Sequence, residues 1–225
     1  MRNFRIILFT LLSVCSLTVR GASDLNSVLV RGRDLFGYGR WSDARHEFLR
    51  ARALLDPADR AAREEIDYYL AACAVELGSD DAEGALRDFE RRHPGSVYAN
   101  DVRFSLGSYY CAVGNMPLAR EAFERTEYKA LSAPRREQYD IRMGYVEFTQ
   151  GDYAAAYDRF SRIGSRSEYA DHALYYRSYI DYAEGRYDRA KEGFTQLTRS
   201  DAYRDLVPFY LLQIEFRNGN YRYVV

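Results

Sequence analysis

The residues able to do chemistry at neutral pH are few and scattered. Three histidines, His46, His93 and His172, fall far apart in the chain. A metal-binding helix needs a second histidine one turn on, but His46-Glu47 is followed at that place by Arg50, so no zinc-protease pair forms. The chain has no phosphate loop, no G-x-S-x-G and no Cys-x-x-Cys. The acidic pairs Glu64-Glu65 and Asp80-Asp81 read as a solvated face and a helix cap. Beyond residue 21, Cys73 and Cys111 remain. A bridge between them requires Cα atoms within about 7 Å, and two buried free thiols are the simpler expectation. The chain is therefore expected not to be an enzyme and to hold no metal or cofactor.

The informative residues are small and aromatic ones at fixed spacing. Gly107, Tyr110, a Gly114-Asn115 turn, Ala119 and Phe123 follow one another in a single stretch. The same order returns as Gly144, Gly151-Asp152-Tyr153, Ala156 and Phe160, and as Ser178, Gly185-Arg186-Tyr187, Ala190 and Phe194. It appears earlier as Gly32, Gly39, Ala44 and Phe48, and in degenerate form around Gly78, Ala85 and Phe89. The turn glycines 114, 151, 185 and 219 are separated by 37, 34 and 34 residues. A period of this length marks helix–turn–helix units that cannot bury an apolar face alone and must stack on neighbours. The small residues admit close helix approach, and the phenylalanines fill the space between units. Pro117 fits the first turn of its helix, where a missing N–H costs nothing, and Ser132 is placed to cap the helix that follows.

This order of residues resembles the tetratricopeptide repeat (TPR). The resemblance implies an all-α fold, a right-handed superhelical α-solenoid. Its units would span 24–57, 60–94, 101–130, 134–164 and 170–200, with a sixth, at 205–225, barely into its second helix. From that ending the sequence reads as the N-terminal part of a longer array or as a truncated reading frame.

Residues 1–21 differ from the rest. Arg2 and Arg5 precede an apolar run from Ile6 to Leu17, too short to span a bilayer comfortably, with Val19 and Gly21 at a cleavage point. This reads as a secretory signal peptide, leaving 22–225 as the repeat array. Cys15, after Leu12-Ser13-Val14, offers a second reading as a lipidated cysteine, so that any membrane contact would run through a lipid anchor. Without the signal, 29 basic residues stand against 33 acidic ones, a net charge of −4. No basic stripe survives, which argues against nucleic acid as a partner.

The segments between units carry a further pattern. His93-Pro94-Gly95-Ser96-Val97-Tyr98-Ala99 leads into Phe104-Ser105-Leu106-Gly107, and Ser167-Glu168-Tyr169-Ala170-Asp171-His172-Ala173 into Leu174-Tyr175-Tyr176. This form resembles the TPR domains of bacterial envelope proteins, such as the Tol–Pal-associated periplasmic coordinator and the lipoprotein of the outer-membrane protein assembly machine. It implies a periplasmic or outer-membrane-associated protein that binds a protein or peptide, and transfers no specific residue role.

In a TPR array the first helix of each unit lines the concave groove, through residues three before, one after and four after the small position. These are Ile141, Tyr145 and Phe148, then Tyr175, Tyr179 and Tyr182, then Phe209, Gln213 and Phe216. Around Gly107 the third unit offers Ser105, Ser108 and Cys111 instead. An aromatic band for an extended peptide or an apolar helix is the functional expectation. Two alternatives stand beside it: the rings are core, buried against further repeats, or they stack on sugars as a glycan-binding surface of the outer membrane. The oligomeric state is not legible in these residues.

Overall fold

The computed structural model describes residues 24–219. The expected signal peptide at 1–21, Cys15 and the second helix of the sixth unit lie outside these residues. Among the described residues the chain is all helix and turn, with no strand. Helix α1 covers 24–37. It is followed by α2 (Trp41–Leu54), α3 (Arg60–Glu76), α4 (Ala82–Arg92), α5 (Ala99–Ala112) and α6 (Met116–Glu124). After a single 3-10 turn at Tyr128–Ala130 come α7 (Ala133–Thr149), α8 (Tyr153–Ser161), α9 (Ala170–Ala183), α10 (Tyr187–Leu197) and α11 (Val207–Arg217). Odd-numbered helices open a repeat and are called A helices here; even-numbered ones close it and are called B helices.

Two compact units divide the chain, Met1–Ser105 and Leu106–Val225, with the division inside α5. In the first, α3 packs on α2 and on α4. In the second, α6, α7, α8, α9, α10 and α11 each pack on the next in order. Packing dominated by sequence neighbours is the mark of an α-solenoid, whose stability is a sum of repeat and seam terms.

The repeat chemistry is visible atom by atom. Gly39, Gly78, Gly114, Gly151, Gly185 and Gly219 all adopt positive φ, between 61° and 81°, where a side chain would be strained. Each follows the end of an A helix, and the first five turn the chain into the B helix that comes next. Phe48, Phe89, Phe123, Phe160 and Phe194 are wholly buried. A Cβ on Gly107 would lie 2.6 Å from the Phe123 ring, and one on Gly144 would lie 2.8 Å from that of Phe160. In the fifth repeat the partners are exchanged: Ser178 takes the small position, and its hydroxyl fills the place of a Cβ on Gly193 of α10.

The caps and connectors follow the sequence in part. Asp59, Asn115 and Asp152 accept from backbone N–H groups three residues on, those of Ala62, Leu118 and Ala155. Ser132 and Asp81 stand at N-cap positions but make no side-chain cap bond. The inter-unit motif has a local cause: Ser96 Oγ accepts from the N–H of Tyr98 at 3.0 Å and Ser167 Oγ from that of Tyr169 at 3.1 Å, turning the chain into α5 and α9. Glu64 and Glu65 correct the solvated-face expectation. Glu64 accepts from Ser96 Oγ at 2.6 Å, and Glu65 pairs with Arg33 at 2.6 Å, so both tie α3 to its neighbours.

Candidate functional site

The predicted band lies within the second unit, on α7, α9 and α11. Its members recur at i, i+4 and i+7, which places them on one face of each A helix. Ile141 and Phe148 are half-buried and Tyr145 is 37% exposed. Tyr175, Tyr179 and Tyr182 are half-buried against the cluster of Ala190, Phe194, Leu197, Tyr203, Val207 and Ile214. Phe209 and Phe216 are 58% and 55% exposed, and Gln213 is half-buried.

The α9 rings are not a loose surface. Tyr175 stacks on Tyr203 at 4.6 Å, and its hydroxyl lies 3.4 Å from that of Tyr210. Tyr179 bridges Phe148 at 5.4 Å and Tyr210 at 5.8 Å. Tyr182 donates to Gln213 Oε1, which fixes that amide. Burial, helped by the Tyr210 contact, pushes the Tyr175 phenol well above its ordinary range, and burial raises Tyr203 to about 12. These phenols stay neutral near neutrality and act through packing. The band thus divides into a packed middle on α9 and open ends at Tyr145 and Phe209.

Sequence reasoning passed over the residues two before the small position. Tyr176 stacks on Phe160 of the preceding repeat, with centroids 5.0 Å apart and planes at 14°. Tyr210 does the same on Phe194 at 4.8 Å and 10°. In the first unit Tyr69 lies on Phe48 at 4.6 Å and 3°. This ring-on-ring seam accounts for part of the unusual tyrosine content. Its signal was present, since Tyr176 and Tyr210 are themselves one 34-residue period apart.

A charged seam was also missed. Three residues after the small position, Glu147, Asp181 and Glu215 recur at intervals of 34 residues. Glu147 accepts from Arg159 of α8 at 3.3 Å, Asp181 pairs with Arg186 at 2.6 Å, and Glu215 pairs with Lys191 of α10. Four residues before the small position stand Asp67 and Asp140, both buried. Asp67 is held by Arg52 at 3.2 Å, Arg92 at 2.8 Å and the His93 ring at 3.1 Å. Asp140 is held by Arg159, Arg162 and the Tyr128 hydroxyl, at 3.4, 3.3 and 2.6 Å. Each buried carboxylate therefore meets guanidinium groups, the arrangement that a buried charge requires. Burial nevertheless raises the Glu147 carboxyl above its ordinary range, although Arg159 opposes the rise.

Among the described residues no group of three or more His, Cys, Asp or Glu side chains could hold a metal ion. Cys73 and Cys111 are free thiols, one buried and one half-buried, and burial pushes both up to about 11. No described helix is long and apolar enough to cross a membrane.

No family model and no curated protein matches the chain. Solved structures do. A tetratricopeptide repeat protein from Parabacteroides merdae aligns with a TM-score of 0.60 at 14% identity, over 87% of this chain and 73% of that one. The Cut9–Hcn1 hetero-tetramer of the APC/C aligns with a TM-score of 0.54 at 17% identity, over 86% of this chain and 37% of the other. With the positive-φ turn glycines, the buried phenylalanines and packing dominated by successive helices, these likenesses establish the fold as an α-solenoid of TPR type.

Proposed function

We propose that the chain is a non-enzymatic scaffold or adaptor of the cell envelope that binds a protein partner, as an extended peptide or a helix, along its A helices. The observation that carries this reading is the open part of the aromatic row. Tyr145 and Phe209 present large apolar surface beside a packed and hydrogen-bonded middle of tyrosines. Rings held by such packing lose little entropy when a partner covers them. Export rests on the signal-like residues 1–21, and a protein ligand agrees with the use that tandem helical repeats commonly make of such a row. A glycan ligand is the weaker reading, because sugar stacking needs polar groups beside the rings and Gln213 is already engaged by Tyr182.

The test uses Tyr145→Ala and Phe209→Ala, each checked for wild-type helical circular dichroism because Tyr145 also packs on the Tyr176 ring at 5.7 Å. Partners cross-linked to the wild type in envelope extracts are identified, and the captured segment is titrated against purified wild-type and variant chains. Loss of an aromatic anchor is expected to weaken binding by about tenfold or more. Equal affinity for wild type and both variants would remove the site from this row.

A further inference from the structure

The cleft between α8, α9 and α10 holds a pocket of about 290 Å³, close to the lower size limit of small-molecule sites. Its polar walls are Tyr157 from α8, Arg177 and Asp181 from α9, and Arg189, Glu192 and Gln196 from α10. None of these belongs to the aromatic row.

Arg177 is out of place for a packing residue. It stands one before the small position, where the A helices α3, α5, α7 and α11 carry Leu70, Leu106, Met143 and Leu211, and where α1 carries Arg31, which differs in being paired with Glu47 at 3.5 Å. A guanidinium here stands in the seam between two repeats, and its Nε is fully shielded with no hydrogen-bond acceptor among the described residues. A buried donor left without an acceptor is destabilising, and an incoming acceptor would relieve it. The nearby groups are otherwise engaged. Asp181 accepts from Arg186 at 2.6 Å, and Ser178 spends its hydroxyl on the Leu174 carbonyl at 2.8 Å. Arg177 and Arg189 make no ion pair among the described residues, so two guanidinium groups face one exposed carboxylate, Glu192.

We infer that this cleft binds a small oxyanion, the phosphate or carboxylate group of a free ligand, with Arg177 as the principal donor. A guanidinium presents its N–H groups in a planar fork that matches two oxygens of either anion. Arg189 adds positive charge at the mouth, and Glu192 tempers the affinity.

The test is calorimetric titration of the purified chain with inorganic phosphate and, separately, acetate, each at ionic strength matched with chloride. Saturable binding of one or both is expected, and the stronger of the two assigns the ligand as phosphoryl or carboxylate. Arg177→Gln should lose at least tenfold in affinity, Glu192→Gln should bind more tightly, and Tyr145→Ala should bind as the wild type does. The last comparison separates this inference from the peptide-binding reading. No saturable binding of either anion, or equal binding by the wild type and Arg177→Gln, overturns it. Should Arg177→Gln lose its helical circular dichroism, Arg189→Gln and Glu192→Gln decide the matter: opposite shifts in affinity support the site, and no shift in either refutes it.

Discussion

Replacing Arg159 by methionine tests whether charge, as well as packing, holds adjacent repeats together. Arg159 bonds Glu147 at 3.3 Å and Asp140 at 3.4 Å, and the two carboxylate side chains are only 4% and 3% exposed. Asp140 keeps Arg162 and Tyr128 when Arg159 is removed. Glu147 keeps no comparable partner, and its Oε2 has none among the described residues even with Arg159 present. Breaking one side of such a buried pair costs about 3–5 kcal/mol, and most of that should fall on Glu147. The pH dependence has a definite sign. The folded-state pKa of Glu147 lies above the ordinary 4.5, raised by burial and by Asp152 and held down by Arg159 and Arg120. In the window between the two values the folded chain binds more protons than the unfolded one, so this group's contribution falls as pH rises. Arg159→Met removes the main restraint and widens the window upward. The cost should therefore be largest near neutrality and shrink by up to about 1.4 kcal/mol per pH unit as Glu147 takes up its proton. Urea unfolding followed by far-UV circular dichroism, at neutral pH and at mildly acidic pH, measures both quantities. Adding Glu147→Gln to Arg159→Met should recover most of the loss, while Glu147→Gln alone should be near neutral. If the double variant is no more stable than Arg159→Met, or if the cost does not shrink on acidification, the charged seam is not what Arg159 supports.

Gly107→Ala should destabilise by about 1–3 kcal/mol, because the new methyl meets the Phe123 ring at 2.6 Å; adding Phe123→Leu should recover part of this in the same urea titration. Gly114→Ala, at φ 78° with open space around it, should cost about 1–2 kcal/mol from backbone strain alone, with no rescue by any neighbour. Cys73 and Cys111, pushed up to about 11, should react with a disulfide reagent far more slowly at neutral pH than a free thiol does. The rate should climb with pH well past the ordinary thiol range, and fast labelling of either in the folded chain would show that its burial is transient.

Much of this architecture was legible because the repeat is written in residues with steric rather than chemical roles. A glycine at positive φ has few substitutes, and neither does a glycine under a phenylalanine ring, so Gly114 and Gly107 disclose their surroundings. The face of the aromatic row was equally readable from the helical period. Its depth was not. Whether Tyr179 faces solvent or a neighbour depends on Tyr210, which lies 31 residues away on the next A helix and 5.8 Å away in space. The acids were harder still. Glu64 and Glu65 look like a hydrated face in one dimension, and only packing of α3 against its neighbours brings Ser96 and Arg33 to them. Tandem copies could have revealed the rest: Glu147, Asp181 and Glu215 keep the period of the glycines, although charged residues rarely draw notice as repeat markers.

The stacked rings give the seams a mechanical character. A tyrosine lying at 10–14° on a phenylalanine, as Tyr210 and Tyr176 do, is attracted through broad contact area that changes little when one ring glides over the other. The Tyr182–Gln213 bond and the Lys191–Glu215 pair are directional and resist the same displacement. The joint between the fifth and sixth repeats therefore combines a sliding bearing with two latches. Compliance in this part of the solenoid is set by a handful of polar contacts, while its cohesion is left to the rings.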